Sequence, residues 1–510
     1  MFIGKNFLRA DSSFSGGDGS ENNPYILKTA ADLNQLSTDS NNGNTYSGKY
    51  FKLVNDIDFN GAQFNPIKEF SGNLNGNGFV IKNMRITKNI IDRGQKYKCA
   101  IFEIMQNATV QNLGITGVNL SVTVQFNGTQ NNDWDDSWIG IFCAKCVQSN
   151  IDNCFVENSF LTFESNYLRP AFFGSFFGTV ENHSIVNNCY TKGCQFDVKG
   201  NFSSAHANNY FAGQCSSSIV NCFTNAKVIN GKTKFEANNF HGFTFHWSGG
   251  TTQNCYYDST VSGVTGKDGE RTTAQMTGPD ALTNMNLGNA FRTTQNSYPV
   301  LKAFDTNINS ISFADDNTSY EFNSGEVSAA LKVKLNLSNT LNKLSQGDKI
   351  FLYLDDDTTP IAQITSGNEF SIPAETLNSL SIGEHELQVK IFDWDSNALS
   401  ICDQKLTLTI KEPPAPNVSE ILLSPTSHSR SHPEQLTSFT VNLTGQSFSK
   451  SCNVTLKFKN KSTGDETDID CGNFSSSNTN SQILSVTGDN LDTIRNLPVG
   501  KYTVQVIITK

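Results

Sequence analysis

The sequence predicts an all-β chain: a right-handed parallel β-helix, a solenoid, followed by two β-sandwich units. Three observations carry this. The tetrads Ile151-Asp-Asn-Cys154, Val186-Asn-Asn-Cys189, Ile219-Val-Asn-Cys222 and Thr252-Gln-Asn-Cys255 recur at intervals of 35, 33 and 33 residues, a solenoid period. Charged residues are only 17% and hydrophobic ones 37% of the 510 residues. Asn, Ser, Thr and Gly fill the difference, which favours turns and ladders over long helices. After about residue 306 apolar and polar residues alternate strictly, as in half-buried antiparallel strands.

Residues 1–19 read as an N-terminal tail. Its apolar run is broken by Lys5 and Arg9, too short for a signal-peptide core, so the chain is expected to begin after processing or to be a fragment. Thr29-Ala-Ala-Asp32 ahead of Leu33 and Leu36 reads as a capping box opening a short helix. Pro279 to Met285 suggests another helix near the far end. Both are expected to cover the open ends of the solenoid, whose unpaired edges invite aggregation.

The solenoid is placed at residues 20–305. Earlier copies of the tetrad are Val110-Gln-Asn-Leu113 and Ile81-Lys-Asn-Met84. Ala100-Ile-Phe102, Gly140-Ile-Phe142, Gly174-Ser-Phe176, Gly213-Gln-Cys215 and Gly242-Phe-Thr244 precede the successive Asn residues as a second motif. An apolar or β-branched residue lies two before each of these Asn residues, and an apolar residue or Cys follows each directly. A bend at Asn turns both inward, and Asn tolerates the left-handed conformation best among non-Gly residues. Asn83, Asn112, Asn153, Asn188, Asn221 and Asn254 are therefore expected to stack coil on coil, with amide bonds along the stack. The same register puts Met84, Leu113, Cys154, Cys189, Cys222 and Cys255 in one interior column, whose Cys read as small buried hydrophobes, with disulfides or a metal site as the alternatives.

The opening Asn23-Pro-Tyr-Ile26, Ala31-Asp-Leu-Asn-Gln-Leu36, Gly48-Lys-Tyr-Phe-Lys-Leu53, Asn55-Asp-Ile-Asp58, Phe70-Ser-Gly-Asn-Leu-Asn-Gly-Asn-Gly78 and Ile81-Lys-Asn-Met84 resembles the start of GLUG-motif β-helix proteins. The ending Asn254-Cys-Tyr-Tyr-Asp258, Leu287-Gly-Asn-Ala-Phe291 and Tyr298-Pro-Val-Leu301 is similar to theirs as well. The GLUG tetrad itself has drifted, to Ala100-Ile-Phe-Glu103. The resemblance implies a secreted or surface-exposed β-helix in large adhesin-like proteins, and no catalytic residues.

Beyond it, Leu331, Val333, Leu335 and Leu337 alternate with polar residues, as do Ile350, Leu352 and Leu354, then Leu387, Val389 and Ile391, then Leu406, Leu408 and Ile410. The stretch Leu380 to Val389 resembles late strands of bacterial Ig-like domains. The resemblance implies Ig-like units at 306–411 and 419–510, joined by a stiff Pro-rich linker at 412–418. Cys452 and Cys471 bracket a hairpin whose turn is near Ser462-Thr-Gly464, so facing positions could carry a disulfide.

The net charge of −10 and pI near 5.3 argue against nucleic acid as the main partner, and no apolar run is long enough to span a bilayer. Twelve N-x-S/T sequons are compatible with secretion. The candidate site is the irregular stretch 122–138, where Asp133 and Asp135 lie among Trp134 and Trp138. Carboxylates beside indoles suit glycan recognition, and could also hold Ca²⁺; a solvated loop is the plain alternative. Asp393-Trp-Asp395-Ser-Asn397 reads as a hairpin turn that lacks the Gly and distal Glu of a calcium loop. His241 and His246, on an extended segment, would face opposite sides. Many β-helices cleave polysaccharides, but that needs paired carboxylates or a base beside Ca²⁺ on successive coils, and no charged residue recurs at the coil period. The expected function is a non-enzymatic extracellular or cell-surface protein binding glycan or a surface protein. A self-associating stalk or filament component and a polysaccharide lyase or hydrolase are the alternatives.

Overall fold

The computed structural model describes residues 14–92, 96–126, 137–165, 171–200, 209–229, 242–246, 248–338, 347–355, 357–448, 452–474 and 479–509. Parallel ladders dominate the first three hundred residues. One ladder stacks Tyr25–Leu27, Tyr50–Leu53, Asn73–Asn75, Thr109–Gln111, Asn150–Asp152, Ile185–Asn187, Ser218–Thr224 and Thr251–Asp258 in parallel register. A bend leads from it to a second ladder of Val80–Lys82, Gly114–Thr116, Phe155–Glu157 and Tyr190–Lys192. A further bend leads to a third, of Arg85–Asp92, Asn119–Phe126, Phe160–Ser165, Gln195–Gly200 and Lys227–Val228. Three coils close through Lys98–Cys99, Ser137–Gly140 and Ala171–Gly174. The chain then enters Phe102–Gln106, Cys143–Val147, Phe177–Glu181, Ala212–Cys215 and Thr244–His246.

Asn makes the first bend. Asn112, Asn153, Asn188, Asn221 and Asn254 all have φ between 51° and 53°, the left-handed region that costs other L-residues most. The residues after them, Leu113, Cys154, Cys189, Cys222 and Cys255, turn into the shared core. Asn83 and Met84 belong one bend later than the sequence placed them. Val80–Lys82 pairs with Gly114–Thr116 and not with Thr109–Gln111. Asn83 thus stands where Gly117, Asn158 and Gly193 stand in later coils, and Met84 joins the column of Val118 and Cys194. Gly76-Asn77-Gly78 fill the earlier bend of that coil, with Asn77 at φ 54°, so one period back from Asn112 lies Asn77 and not the look-alike tetrad Ile81-Lys-Asn-Met84.

At the near end the helix Ala30–Asn41 is opened by a capping box: Thr29 N donates to Asp32 Oδ2 at 2.8 Å and Asp32 N to Thr29 Oγ1 at 3.3 Å. Leu33 and Leu36 tuck into the core of the stack, while Ser40 donates to the Glu69 carbonyl at 2.7 Å. At the far end the short helices Ser259–Ser262, Thr273–Met276 and Ala281–Met285 follow the last coil. Buried Asp258 ties them together, accepting from Val261 N at 3.0 Å, Thr273 Oγ1 at 2.6 Å and Tyr298 Oη at 2.5 Å.

The segment 276–304 then runs back along the outside of the stack. Phe155, Tyr190, Phe223 and Tyr256 follow the inward residues of the Asn bends and point outward. Phe155 stacks on Tyr190 at 5.3 Å and Tyr190 on Phe223 at 5.0 Å. Met276, Met285, Phe291, Tyr298 and Phe304 cover this aromatic row, with Phe304 edge-on to Phe155 at 4.6 Å. Gly288 lets the strap lie close to the Asn stack: a Cβ there would be 2.9 Å from Asn221 Nδ2. This returning strap accounts for the Leu287-Gly-Asn-Ala-Phe291 and Tyr298-Pro-Val-Leu301 segments.

Two further pairs of sheets follow, each closing over its own core. Ile308–Phe313, Leu331–Leu337 and Glu369–Ile372 face a sheet containing Lys349–Leu354, Gly383–Phe392 and Leu406–Lys411. Asn417–Ser424, Phe439–Phe448 and Thr479–Val486 face Asn453–Asn460, Glu466–Asn473 and Tyr502–Thr509. Asn417 already begins a strand, so the irregular connection ends sooner than the Pro-rich composition suggested. The strap docks on the first pair: Arg292 donates to Asp305 at 2.6 Å and to Asp348 at 2.8 Å, and Trp394 Nε1 donates to the Thr293 carbonyl at 3.2 Å.

Cys452 and Cys471 are free thiols, which corrects the disulfide expectation. A bulge between Asn453 and Thr455 shifts the register. Phe474, not Cys471, bonds back to Cys452 through its N–H, at 3.3 Å.

Candidate functional site

The long connections of successive coils leave at one bend. They join Asp92 to Lys98, Phe126 to Ser137, Ser165 to Ala171, and Gly200 to Ala212, always from the third ladder to the next strand. Asp133, Trp134 and Asp135 lie outside the described residues. The flanks of the stretch are not loop: Val122 to Phe126 complete one strand, and Ser137 and Trp138 begin another. Their irregular composition hid two strands that the neighbouring coils hold in register.

Trp138 is 6% exposed, where an open glycan platform was expected. The alternation of the strand explains it. Ile139, with Cys99 below and Phe173 above, points into the stack, and Trp138, with Lys98 below and Phe172 above, points out. The indole is then covered from outside. Lys145 Nζ lies 4.5 Å from its ring centre, and Lys96 and Lys98 each 5.8 Å away. Ala100, Ala144 and Phe172 pack around it. Gly178 leaves room for it, since a Cβ there would come within 2.7 Å of Trp138 Cβ. Trp138 Nε1 is buried and has no acceptor among the described residues.

Lys145 pairs with Glu181 at 2.9 Å, and Lys88 with Glu103 at 2.7 Å. Burial, then repulsion from Lys145, holds the Lys98 ammonium below the ordinary lysine range, with Glu103 pulling the other way. The arrangement offers N–H donors and positive charge beside an aromatic face, which suits an anionic ligand. Sequence reasoning missed the lysines because they come from different strands. The available signal was Lys96-Tyr-Lys98, spaced to put both lysines on one face, ahead of the strand that carries Trp138.

The Asn bends form polar runs along the stack. Asn254 donates to Asn221 at 3.0 Å and Asn221 to Asn188 at 3.3 Å. Asn188 turns to Asp152 Oδ1 at 2.9 Å, and Asn153 to Asp152 Oδ2 at 3.1 Å, so a carboxylate bridges these two coils. Asn112 donates to Asn75 at 3.3 Å and Asn83 to Asp58 at 3.0 Å. Among the described residues no group of three His, Cys, Asp or Glu is placed to hold a metal ion, and no helix is long and apolar enough to cross a membrane. Asp393 Oδ1 accepts from the backbone N–H groups of Asp395 and Asn397 at 2.9 and 2.8 Å, closing the hairpin turn. His246 is described and His241 lies outside the described residues.

No family model matches the chain. A 128-residue stretch is 36% identical to a putative Gly-rich membrane protein of Evansella cellulosilytica, covering 22% of this chain and 13% of that protein. A 116-residue stretch is 32% identical to halomucin of Haloquadratum walsbyi, covering 20% of this chain and 1% of that protein. The matches thus span a small part of either relative's length. A solved structure of a Ca²⁺-stabilized adhesin of an Antarctic bacterium aligns over 40% of this chain and 48% of that one, with 13% identity and a TM-score of 0.16. That score falls short of a shared fold.

Proposed function

We propose that the chain is an adhesin-like part of an extracellular or cell-surface protein, binding glycan or a partner protein through one edge of a rod. In this reading the parallel stack is a right-handed β-helix of the GLUG type, residues 20–305. The two sheet pairs are Ig-like units that act as spacers. The observation that carries it is the emergence of the long connections from one bend, immediately before the strand of Trp138. Rigid scaffolds that recognise partners concentrate contacts on such connections. The names of the two relatives, a putative Gly-rich membrane protein and halomucin, are compatible with a surface setting. Asp133, Trp134 and Asp135, between Phe126 and Ser137, are assigned to ligand contact.

The test is attachment of the full chain to cells and to glycan arrays, beside a variant in which residues 128–135 are replaced by a Gly/Ser connection of equal length. Loss of attachment with an unchanged melting curve is the expected result. A stalk or filament role forecasts unchanged attachment and assembly.

A further inference from the structure

We propose that the outer face around Trp138 binds an anionic group, the sulfate or carboxylate of an acidic polysaccharide, with Lys98, Lys145 and Lys96 as its cations and the Trp138 indole N–H as its directed donor. This names a ligand class for the edge assigned above and rests on that reading for its setting, with Asp133 and Asp135 then assigned to sugar hydroxyls and the lysines to the anionic group.

Three features point the same way. Lysines from two adjoining segments, Lys96 and Lys98 on one and Lys145 on the other, bring their ammonium groups within 6 Å of one ring centre. Lysines so close repel one another, and an anion among them removes that repulsion. Among the described residues Glu103 pairs with Lys88 and Glu181 with Lys145; an anionic ligand would take the place of Glu181 at Lys145. Second, the Trp138 N–H is buried with no acceptor among the described residues, although a buried donor almost always finds one. An oxygen of a sulfate or carboxylate supplies it. Lysine stems rotate freely, so the ring can be uncovered without moving the strands that hold it. Third, the chain carries a net charge of −10, so three lysines gathered at one ring are a distinct place for an anionic group to settle.

The burial of Lys98 adds a reason for selectivity. A half-buried ammonium is a stronger partner for an anion than a solvated one, because less water screens the pair. A neutral sugar gains nothing from it. The indole N–H contributes direction without charge, so its loss and the loss of a lysine have different signatures.

The experiment is calorimetric titration of the full chain with dextran sulfate, polygalacturonate and neutral dextran at several salt concentrations. The wild type is expected to bind one or both polyanions, more weakly as salt rises, and not neutral dextran. The two polyanion arms tell sulfate from carboxylate. Lys98→Gln and Lys145→Gln should each weaken binding about tenfold and flatten the salt dependence. Trp138→Phe, which keeps the ring and removes the N–H, should weaken it several-fold with the salt slope unchanged. Lys96→Gln, at an exposed position, repeats the charge test where folding is not at stake. No polyanion binding by the wild type, or equal binding by every variant that melts like it, overturns the proposal. If polyanions do not bind but the 128–135 replacement still abolishes attachment, the ligand class falls and the surface reading stands. If polyanions bind as described and the chain attaches to no cell or array, the reverse holds.

Discussion

Asn286 donates its side-chain amide to Asn254 at 3.2 Å, so the strap adds one more member to the stack of Asn bends after the last coil has ended. Its φ of 46° repeats the left-handed geometry of Asn188, Asn221 and Asn254. The strap is therefore registered against the coils by the same chemistry that registers the coils against one another.

Asn221 is the position to test this. It accepts from Asn254, donates to Asn188 and holds φ at 53°. Asn221→Leu should cost about 1–3 kcal/mol, from the lost amide partners and the strained backbone. Asn221→Gly accepts the backbone and loses only the amide, so it should cost less. Chemical denaturation of the two variants measures the difference, and equal losses would assign the whole effect to the side chain.

Phe223 anchors the strap. It is fully buried, stacks on Tyr190 at 5.0 Å and Tyr298 at 6.1 Å, and meets Phe291 at 5.8 Å. Phe223→Ala should destabilise the stack by about 3–5 kcal/mol. Amide hydrogen exchange should then speed up first in 276–304, while the strands of the interior keep more of their protection. Uniform loss across the stack would show that the strap is not a separate layer.

The first sheet pair should respond to pH through His385. Burial alone would lower its imidazole. Its Nδ1, 2.8 Å from Asp355 Oδ2, and its Nε2, 2.9 Å from the Ser381 carbonyl, outweigh burial and hold it above the ordinary 6.5. Asp355 is held below its ordinary 3.8: burial would raise it, and the His385 and Glu386 N–H bonds prevail. The His385 contribution is fully present below about pH 6.5 and is lost as pH rises through the folded value. The Asp355 contribution is present above about pH 4 and is lost as pH falls. The melting temperature of this unit should therefore fall between pH 6 and pH 8, and His385→Phe should flatten that slope. A slope unchanged in His385→Phe would remove the pair as its cause.

The thiols should be silent in the folded chain. All twelve cysteines are among the described residues and free, and eleven are buried. Burial raises Cys154, Cys189 and Cys222 well above the ordinary thiol range, and Cys99 and Cys194 to about 12. Alkylation at pH 8 should label few or none in native protein and twelve in denaturant. A Cys452–Cys471 peptide in unreduced digests would contradict the register described for that hairpin.

The coil period was legible because its signal is local. Asn at a left-handed bend and the inward residue beside it are neighbours in sequence, and both recur. Asn83 was misplaced because Ile81-Lys-Asn-Met84 repeats the residue types of the tetrad short of the period, which leads from Asn112 back to Asn77 at φ 54°. The strap was not legible as a strap. Phe155, Tyr190, Phe223 and Tyr256 are outward residues, and only a segment far along the chain shows why they are aromatic. The lysines around Trp138 are likewise brought together across ladders, a relation that no spacing within one strand records. Cys452 and Cys471 seemed opposed because symmetric counting from a turn assumes no bulge.

The most direct test of the central claim is an exchange footprint on the full chain, with and without a saturating ligand from the array or from the polyanion titration. Slowed exchange confined to the peptides around 96–106, 137–147 and 171–181, with 276–304 unchanged, is the predicted result. Protection on the strap, or on the sheets after residue 417, with none beside Trp138, would contradict it.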